Sequence, residues 1–240
     1  IVGNPPWVKL QWNEQGILSE YDPRIAVRKI SASDTMALRT EAFAKNFDAC
    51  AAYLREFTET KGTQSFLNAS VNYPSLAGVQ TNLYKFFRPL AFRIANTKGV
   101  SSFIHPEGVY DDPNGGELRA AMYPRLRLHA QFRNTLGLFD IDGRNLYSLN
   151  VYGSSVDNVS FNTVATLFHP STLEDSLALV DRQSAVSPLP LERNEQGTWN
   201  TQGHSDRVVP VSDDTLKLFA SLYDEPGTPS REARLPALYT

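Results

Sequence analysis

A single cysteine, Cys50, among 240 residues leaves this chain no internal disulfide and no cysteine-rich zinc site. Histidine is scarce too: His105, His129, His169 and His204 are widely scattered, which gives a metal cluster little support. No apolar run approaches the length of a membrane span and nothing resembles a signal peptide. These absences together predict a soluble, cytoplasmic protein that engages no membrane. An excess of positive charge is missing as well. The net charge is −3, which argues against a surface built wholly for polyanions but does not exclude nucleic acid. Basic residues crowd only in "MYPRLRLHAQFR", around Arg125, Arg127, His129 and Arg133, and an ordinary solvated face explains that run equally well.

What is present suffices for one large domain, or one domain with an appendage, since 41% of residues are apolar. Ile1 to Gly3 look like the tail of a strand, so the sequence is expected to be a fragment cut just before its own best motif. In "SDTMALRTEAFAKNFDACAAYLREFTETKG", Phe43, Phe47, Cys50, Leu54 and Phe57 recur at three- and four-residue steps. That spacing predicts one face of a long amphipathic helix, capped by Ser33 and ended by Gly62. A second helix is predicted in "TNLYKFFRPLAFRIANTKG", with Leu83, Phe86, Phe87, Leu90 and Ile94 inward, a bend at Pro89 and Gly99 closing it.

"VSSFIH" then reads as a buried strand, which makes a β-α-β order with Ile1–Val2 and hence a parallel sheet with a right-handed crossover. "LHAQFRNTLGLF" and "LYSLNVYG" flank "DIDGRN", whose Asp142-Gly143 pair signals a hairpin. "VSFNTVATLF" alternates as a further strand. Beyond about residue 170 Pro, Ser, Gly and charge dominate, as in a linker or peripheral segment, broken by a capped helix in "SDDTLKLFASLYDEPG".

The motif with chemical content is "NPPW", Asn4 to Trp7, placed at the carboxyl end of a predicted parallel strand, where α/β sheets present ligands. Two prolines end the strand and fix a rigid corner. A stiff surface turn is one reading of it. The other is a holder for a planar NH₂ group, whose nitrogen is a poor nucleophile because its lone pair is delocalised. The Asn4 side-chain carbonyl and the Pro5 backbone carbonyl would each accept one N–H, aiming the lone pair at an electrophilic methyl group. Pro6 would keep the second carbonyl in place, and the Trp7 ring would offer a face for a flat base.

NPPW resembles the catalytic motif of S-adenosylmethionine-dependent methyltransferases acting on the exocyclic N6 of adenine in DNA. "NLYKFF", "GVSSFIHPEGVY" and the "LGLF…LYSLNVYG" pair follow in that family's order, as a donor-pocket segment, the next strand and a terminal antiparallel hairpin. "HPEGVYDDPNGGELRAAMYPRLRLHAQF" resembles the large methylases of type IIG restriction-modification and related phage-defence systems. The likeness covers residues 1–168. It implies an α/β fold comprising the C-terminal half of a Rossmann-like methyltransferase sheet, with a helical insertion over about 11–80. Residues 169–240 would lead as linker and peripheral helix toward a target-recognition region.

The resemblance further implies S-adenosylmethionine as cofactor, with Asn4 and Pro5 beside it and its main pocket upstream of this chain. DNA is the implied partner, with other restriction-modification or defence subunits. A flipped base would lie on Trp7, and Phe139 is the candidate for the aromatic on its other face; core packing is an equal account of Phe139. Trp12 is expected to anchor the loop after the motif, a wedge beside the base being the other reading. His105 and Glu107 are expected to be structural, Asp111 and Asp112 exposed loop acids rather than metal ligands, and Gly115-Gly116 a flexible start to a helix rather than a phosphate cradle. Methyl transfer to protein glutamine or to RNA, or a non-catalytic DNA-contacting scaffold, are the alternative functions.

Overall fold

The computed structural model describes residues 1–27, 30–182, 188–194 and 196–238. The chain forms two units, one made of Ile1–Trp7 with Leu83 onward and the other of Val8–Asn82. Strand β1 (Val2–Gly3) belongs to the first.

The Val8–Asn82 unit is helical: α1 (Glu14–Ser19), α2 (Arg24–Val27), α3 (Ala32–Lys45) and α4 (Phe47–Asn68). The single long helix expected here is in fact two. Asn46 breaks it with extended backbone, and its side-chain oxygen accepts from the N–H groups of Asp48 and Ala49, so it caps α4 instead of continuing α3. Ser31, not Ser33, caps α3, and α4 passes through Gly62 to Asn68. The break resets the helical phase, so the expected Phe stripe is not the buried one: Phe47 is 83% exposed while Ala49, Tyr53 and Leu67 are buried. Trp12 meets Tyr53 and Phe57 edge-on at 5.1 and 5.2 Å, over a small core of Leu18, Ile25 and Tyr53. It anchors that core. Glu14 accepts from Arg39 at 2.7 Å and from the Tyr53 hydroxyl at 3.0 Å.

The other unit continues with α5 (Leu83–Ile94), β2 (Ser101–Pro106), α6 (Gly108–Asp111), α7 (Gly116–Met122), β3 (Leu126–Arg133), β4 (Leu146–Tyr152), β5 (Ser160–Leu167), α8 (Pro170–Arg182), β6 (Val209–Ser212) and α9 (Asp213–Tyr223). The strands form one sheet in the order β1-β2-β4-β3-β5-β6. β1 pairs parallel with β2, and β3 with β5, while β4 lies antiparallel between β2 and β3, and β6 antiparallel to β5. Four strands therefore run one way and two the other. This is a mixed α/β sheet of Rossmann-like kind, with the parallel strands and antiparallel hairpin that the sequence order predicts. The hairpin connection spans 134–145 rather than a tight Asp142-Gly143 turn, because the Asn134 side chain organises it: its amide donates to the carbonyls of Phe139 and Ile141, and its oxygen accepts from the Phe139 N–H.

The two faces of the sheet differ in chemistry. Ala130, Phe132, Tyr147 and Val164 point to one face and form an apolar core with Leu167, Leu173 and Val208, joined by Ile104 and Leu149. On the opposite face the register brings polar residues side by side: His105 pairs with Ser148, His129 with Asn150 and with Thr163, and Gln131 with Ser148. Helix α5 covers this polar face, which is why its orientation departs from the apolar pattern. Tyr84, Lys85, Phe86 and Arg88 are buried, while Phe87, Leu90 and Ile94 are exposed. Lys85 pairs with Asp112 at 2.9 Å, so Asp112 is an ion-pair partner and not a free loop acid; Asp111 is exposed.

Beyond residue 170 the chain is more ordered than its composition suggests. β6 extends the sheet, and α9 is capped by a reciprocal Ser212–Thr215 pair and buries Leu216, Phe219 and Ala220. Ala233 is buried as well, and its carbonyl accepts from the Tyr123 hydroxyl at 2.6 Å. Short strands and local hydrogen bonds do this work, and neither leaves a strong hydrophobic period.

Candidate functional site

Asn4 follows β1 directly, so the corner stands at the carboxyl edge of the parallel strands. Pro5 is buried, Asn4 and Pro6 are exposed, and the Asn4 side chain makes no hydrogen bond among the described residues. An exposed, unengaged amide at a proline-fixed strand end is free to serve a ligand.

Trp7 is half-buried. Its indole N–H donates to the Ile104 carbonyl at 3.3 Å, which ties the corner to β2, and its ring lies 5.7 Å from Phe139 and 6.0 Å from Tyr147. The structure thus brings together the two aromatics expected to flank a base, but in direct contact. A base between them would need a centroid separation of about 7 Å, twice an aromatic contact distance. Phe139 also meets Tyr147 edge-on at 4.8 Å, within the apolar cluster. Tyr147 and Asn134, the residues that seat Phe139, were not anticipated; an Asn opening a strand-to-strand connection is a turn signal that would have pointed to the second.

His105 and Glu107 follow the same side of β2 and enter the polar face of the sheet. Arg88 Nη1 lies 2.7 Å from His105 Nε2, and His105 Nδ1 lies 2.9 Å from the Pro106 carbonyl. Asn150 stands 2.9 Å from His105 Nε2 and accepts from the Tyr110 hydroxyl. Burial first, and the adjacent Arg88 charge second, hold the His105 pKa well below the usual histidine value, so the ring is neutral and accepts from the guanidinium. Glu107 contacts His129 Nε2 at 3.1 Å and accepts from Gln131 at 2.9 Å, while Thr163 holds the other His129 nitrogen at 2.8 Å. Burial alone would raise the Glu107 pKa; the His129 charge and the hydrogen bonds outweigh it and keep the carboxyl below the ordinary range.

His105, Glu107 and His129 are all buried, and their hydrogen bonds brace the sheet. His129 accordingly leaves the expected basic face, and Arg127 donates to the Pro124 and Ser154 carbonyls. Gly115 and Gly116 are close-packing positions: a Cβ would come within 2.8 Å of the Arg119 guanidinium at the first and 2.6 Å of the Glu232 carboxylate at the second. A carboxylate so near leaves no anion cradle.

Among the described residues no His, Cys, Asp and Glu cluster suits a metal ion, and no helix is long and apolar enough to cross a membrane. No protein-family model matches the sequence, and no curated protein matches it. Among solved structures the chain is similar to the type IIG restriction endonuclease BpuSI, with a TM-score of 0.39 and 16% sequence identity over 70% of this chain. It spans only 18% of that enzyme's length. No residue role follows from the likeness.

Proposed function

We propose that this chain carries the acceptor half of an adenine-N6 DNA methyltransferase site. The observation that supports the reading is the placement of Asn4: an exposed, unbonded amide at the carboxyl end of a parallel strand, one proline-fixed corner away from a half-buried indole. Asn4 and Pro5 accept the two hydrogens of the acceptor NH₂ and orient its lone pair. Trp7 supports the face of the base, its ring held in place by the Ile104 carbonyl. S-adenosylmethionine, when bound, would supply the electrophilic methyl group, with Asn4 and Pro5 as the residues of this chain beside it. The base enters as Phe139 swings outward with the 134–145 connection, which is largely exposed at Thr135 to Leu138. Phe139 then closes on the outer face of the base.

The experiment is Asn4→Ala in the protein with its donor pocket. Methyl transfer to DNA is expected to fall by about 10²- to 10³-fold, as when one charge-stabilising group is removed, with DNA binding unchanged. A variant that methylates normally would overturn the reading. The Trp7–Phe139 contact favours a second reading, a corner kept as architecture, and a wild-type protein that binds DNA without methylating it would establish that one.

A further inference from the structure

The carboxyl edge of the sheet continues past the Asn4 corner to a second feature built from residues after β5. Phe168 directly follows β5 and stacks on Trp199 with centroids 4.4 Å apart and planes 24° from parallel. The Arg193 guanidinium carbon stands 3.8 Å from the centre of the Trp199 ring. With Phe168 covering one face of the indole at stacking distance, the guanidinium occupies the other. The result is a ladder running from a buried phenyl ring through a half-buried indole to an exposed planar cation.

The ladder is held in place before any ligand arrives. Arg193 and Trp199 face each other as an antiparallel bridge. Their turn is stitched by Asn194, whose side-chain oxygen accepts from the Gln196 and Thr198 N–H groups, and by Gly197 at φ +75. Arg193 Nη1 donates to the Gly197 carbonyl at 2.6 Å. Beside Trp199 opens a cleft of about 480 Å³ walled by Arg133, Thr135, Asp142, Arg144 and Leu146. Asp142 engages Arg144 at 2.8 Å and Glu192 lies 4.0 Å from Arg133, so those two arginines each face a carboxylate, and Arg193, held by the indole and the Gly197 carbonyl, carries the excess positive charge. A planar partner meets both the charge and the plane of Arg193, which is exposed where it lies over the indole.

We propose that Arg193, backed by Trp199 and Phe168, is a stacking platform for an unpaired base of the nucleic-acid strand whose acceptor base is held at Asn4. This deepens the function proposed above and rests on it. The strand order places β5 four spacings from β1, so the platform and the corner lie about 19 Å apart along one edge. Several nucleotides span that distance, so the platform takes a base flanking the acceptor and not the acceptor itself.

The test measures binding of a fluorescein-labelled ten-nucleotide single-stranded DNA, and of the same strand made abasic, to the full chain. Arg193 is exposed, so its replacement does not disturb the core. Arg193→Ala is expected to weaken the base-bearing strand by between about 5- and 150-fold, the range for loss of one stacked base, and to leave the abasic strand within about twofold. Arg193→Lys, which keeps the charge without the plane, is expected to behave as Arg193→Ala does. Equal binding by wild type and Arg193→Ala, or an equal loss on the abasic strand, would overturn the platform; the latter makes Arg193 a phosphate contact. Because the readout is binding, it is separate from the Asn4→Ala methylation result: loss of the platform with Asn4 still required for methyl transfer leaves the proposed function standing, and the reverse leaves a nucleic-acid surface without that chemistry.

Discussion

Phe139 rests against Trp7 at 5.7 Å, so the two rings meet directly with no gap for a base between them. Two different roles for Phe139 make different measurable demands. As packing, it covers the apolar cluster; as a gate, it also meets the base.

Phe139→Ala removes a half-buried ring, so unfolding in urea is expected to show a loss of about 1–2 kcal/mol, below the cost for a fully buried phenylalanine. If the ring also closes on the base, kcat/KM for methyl transfer falls by about 5- to 150-fold at temperatures where the variant is fully folded. An unchanged kcat/KM with reduced stability assigns Phe139 to packing alone.

The buried His105 gives the fold an acid-sensitive window. Its folded-state pKa is depressed, by burial and then by Arg88, so the unfolded chain binds more protons there than the folded one. Its contribution is complete above the ordinary histidine value of 6.5 and is lost as pH falls from there toward the folded pKa, at up to about 1.4 kcal/mol per pH unit. Urea midpoints between pH 8 and pH 5 should decline below about pH 6.5, and His105→Gln should flatten that decline. An equal slope in the variant would place the titrating group elsewhere.

Glu107 acts in a lower window. Its carboxyl is depressed below the ordinary value of 4.5, so its contribution is present above that value and disappears as pH falls through the folded pKa. Removing the carboxylate by Glu107→Ala strands the buried His129 and Gln131 donors, with an expected cost of about 3–5 kcal/mol in denaturant unfolding. Glu107→Gln, which preserves shape and one acceptor, should cost less. The reverse ranking would contradict the hydrogen-bond arrangement.

Gly203 lies against the backbone of α8, where an added Cβ would come within 2.4 Å of the Asp175 Cβ and 2.9 Å of the Ser176 nitrogen. Backbone cannot yield as a flexible side chain does, so Gly203→Ala should destabilise by about 1–3 kcal/mol. A thermal melt matching the wild type would show that the segment after α8 is free to shift.

The sheet was largely legible in the sequence because its strands alternate and its helices separate them. β2, β4 and β5 fall where "VSSFIH", "LYSLNVYG" and "VSFNTVATLF" predict, while β3 overlaps only the first half of "LHAQFRNTLGLF", starting at Leu126 and ending at Arg133. The inward face of α5 was not legible, because a rule that sends apolar residues inward fails where the opposing sheet face presents His105, Ser148 and Asn150. The break at Asn46 was hidden for another reason: one side chain hydrogen-bonding the next turn outweighs an unbroken apolar period. At the candidate site the corner's position after a parallel strand was legible from residue order. The closure of Phe139 on Trp7 was not, since the path of a connection as long as 134–145 depends on tertiary contacts. The Arg193–Trp199 pair lay in a stretch whose composition resembled a linker.

Alternate side chains of the same strands answer to different rules, and this governs how the protein tolerates change. Along β3, swapping Ala130 or Phe132 for another apolar residue alters volume only, and neighbours can repack around the difference. One step away, His129 is tied to Thr163 on β5 and to Glu107 just after β2, and Gln131 to the same Glu107, so a replacement that cannot make these bonds breaks a circuit. Sequence drift in this sheet should therefore be loose on odd-versus-even lines, with freedom on one surface and near-immobility on the other.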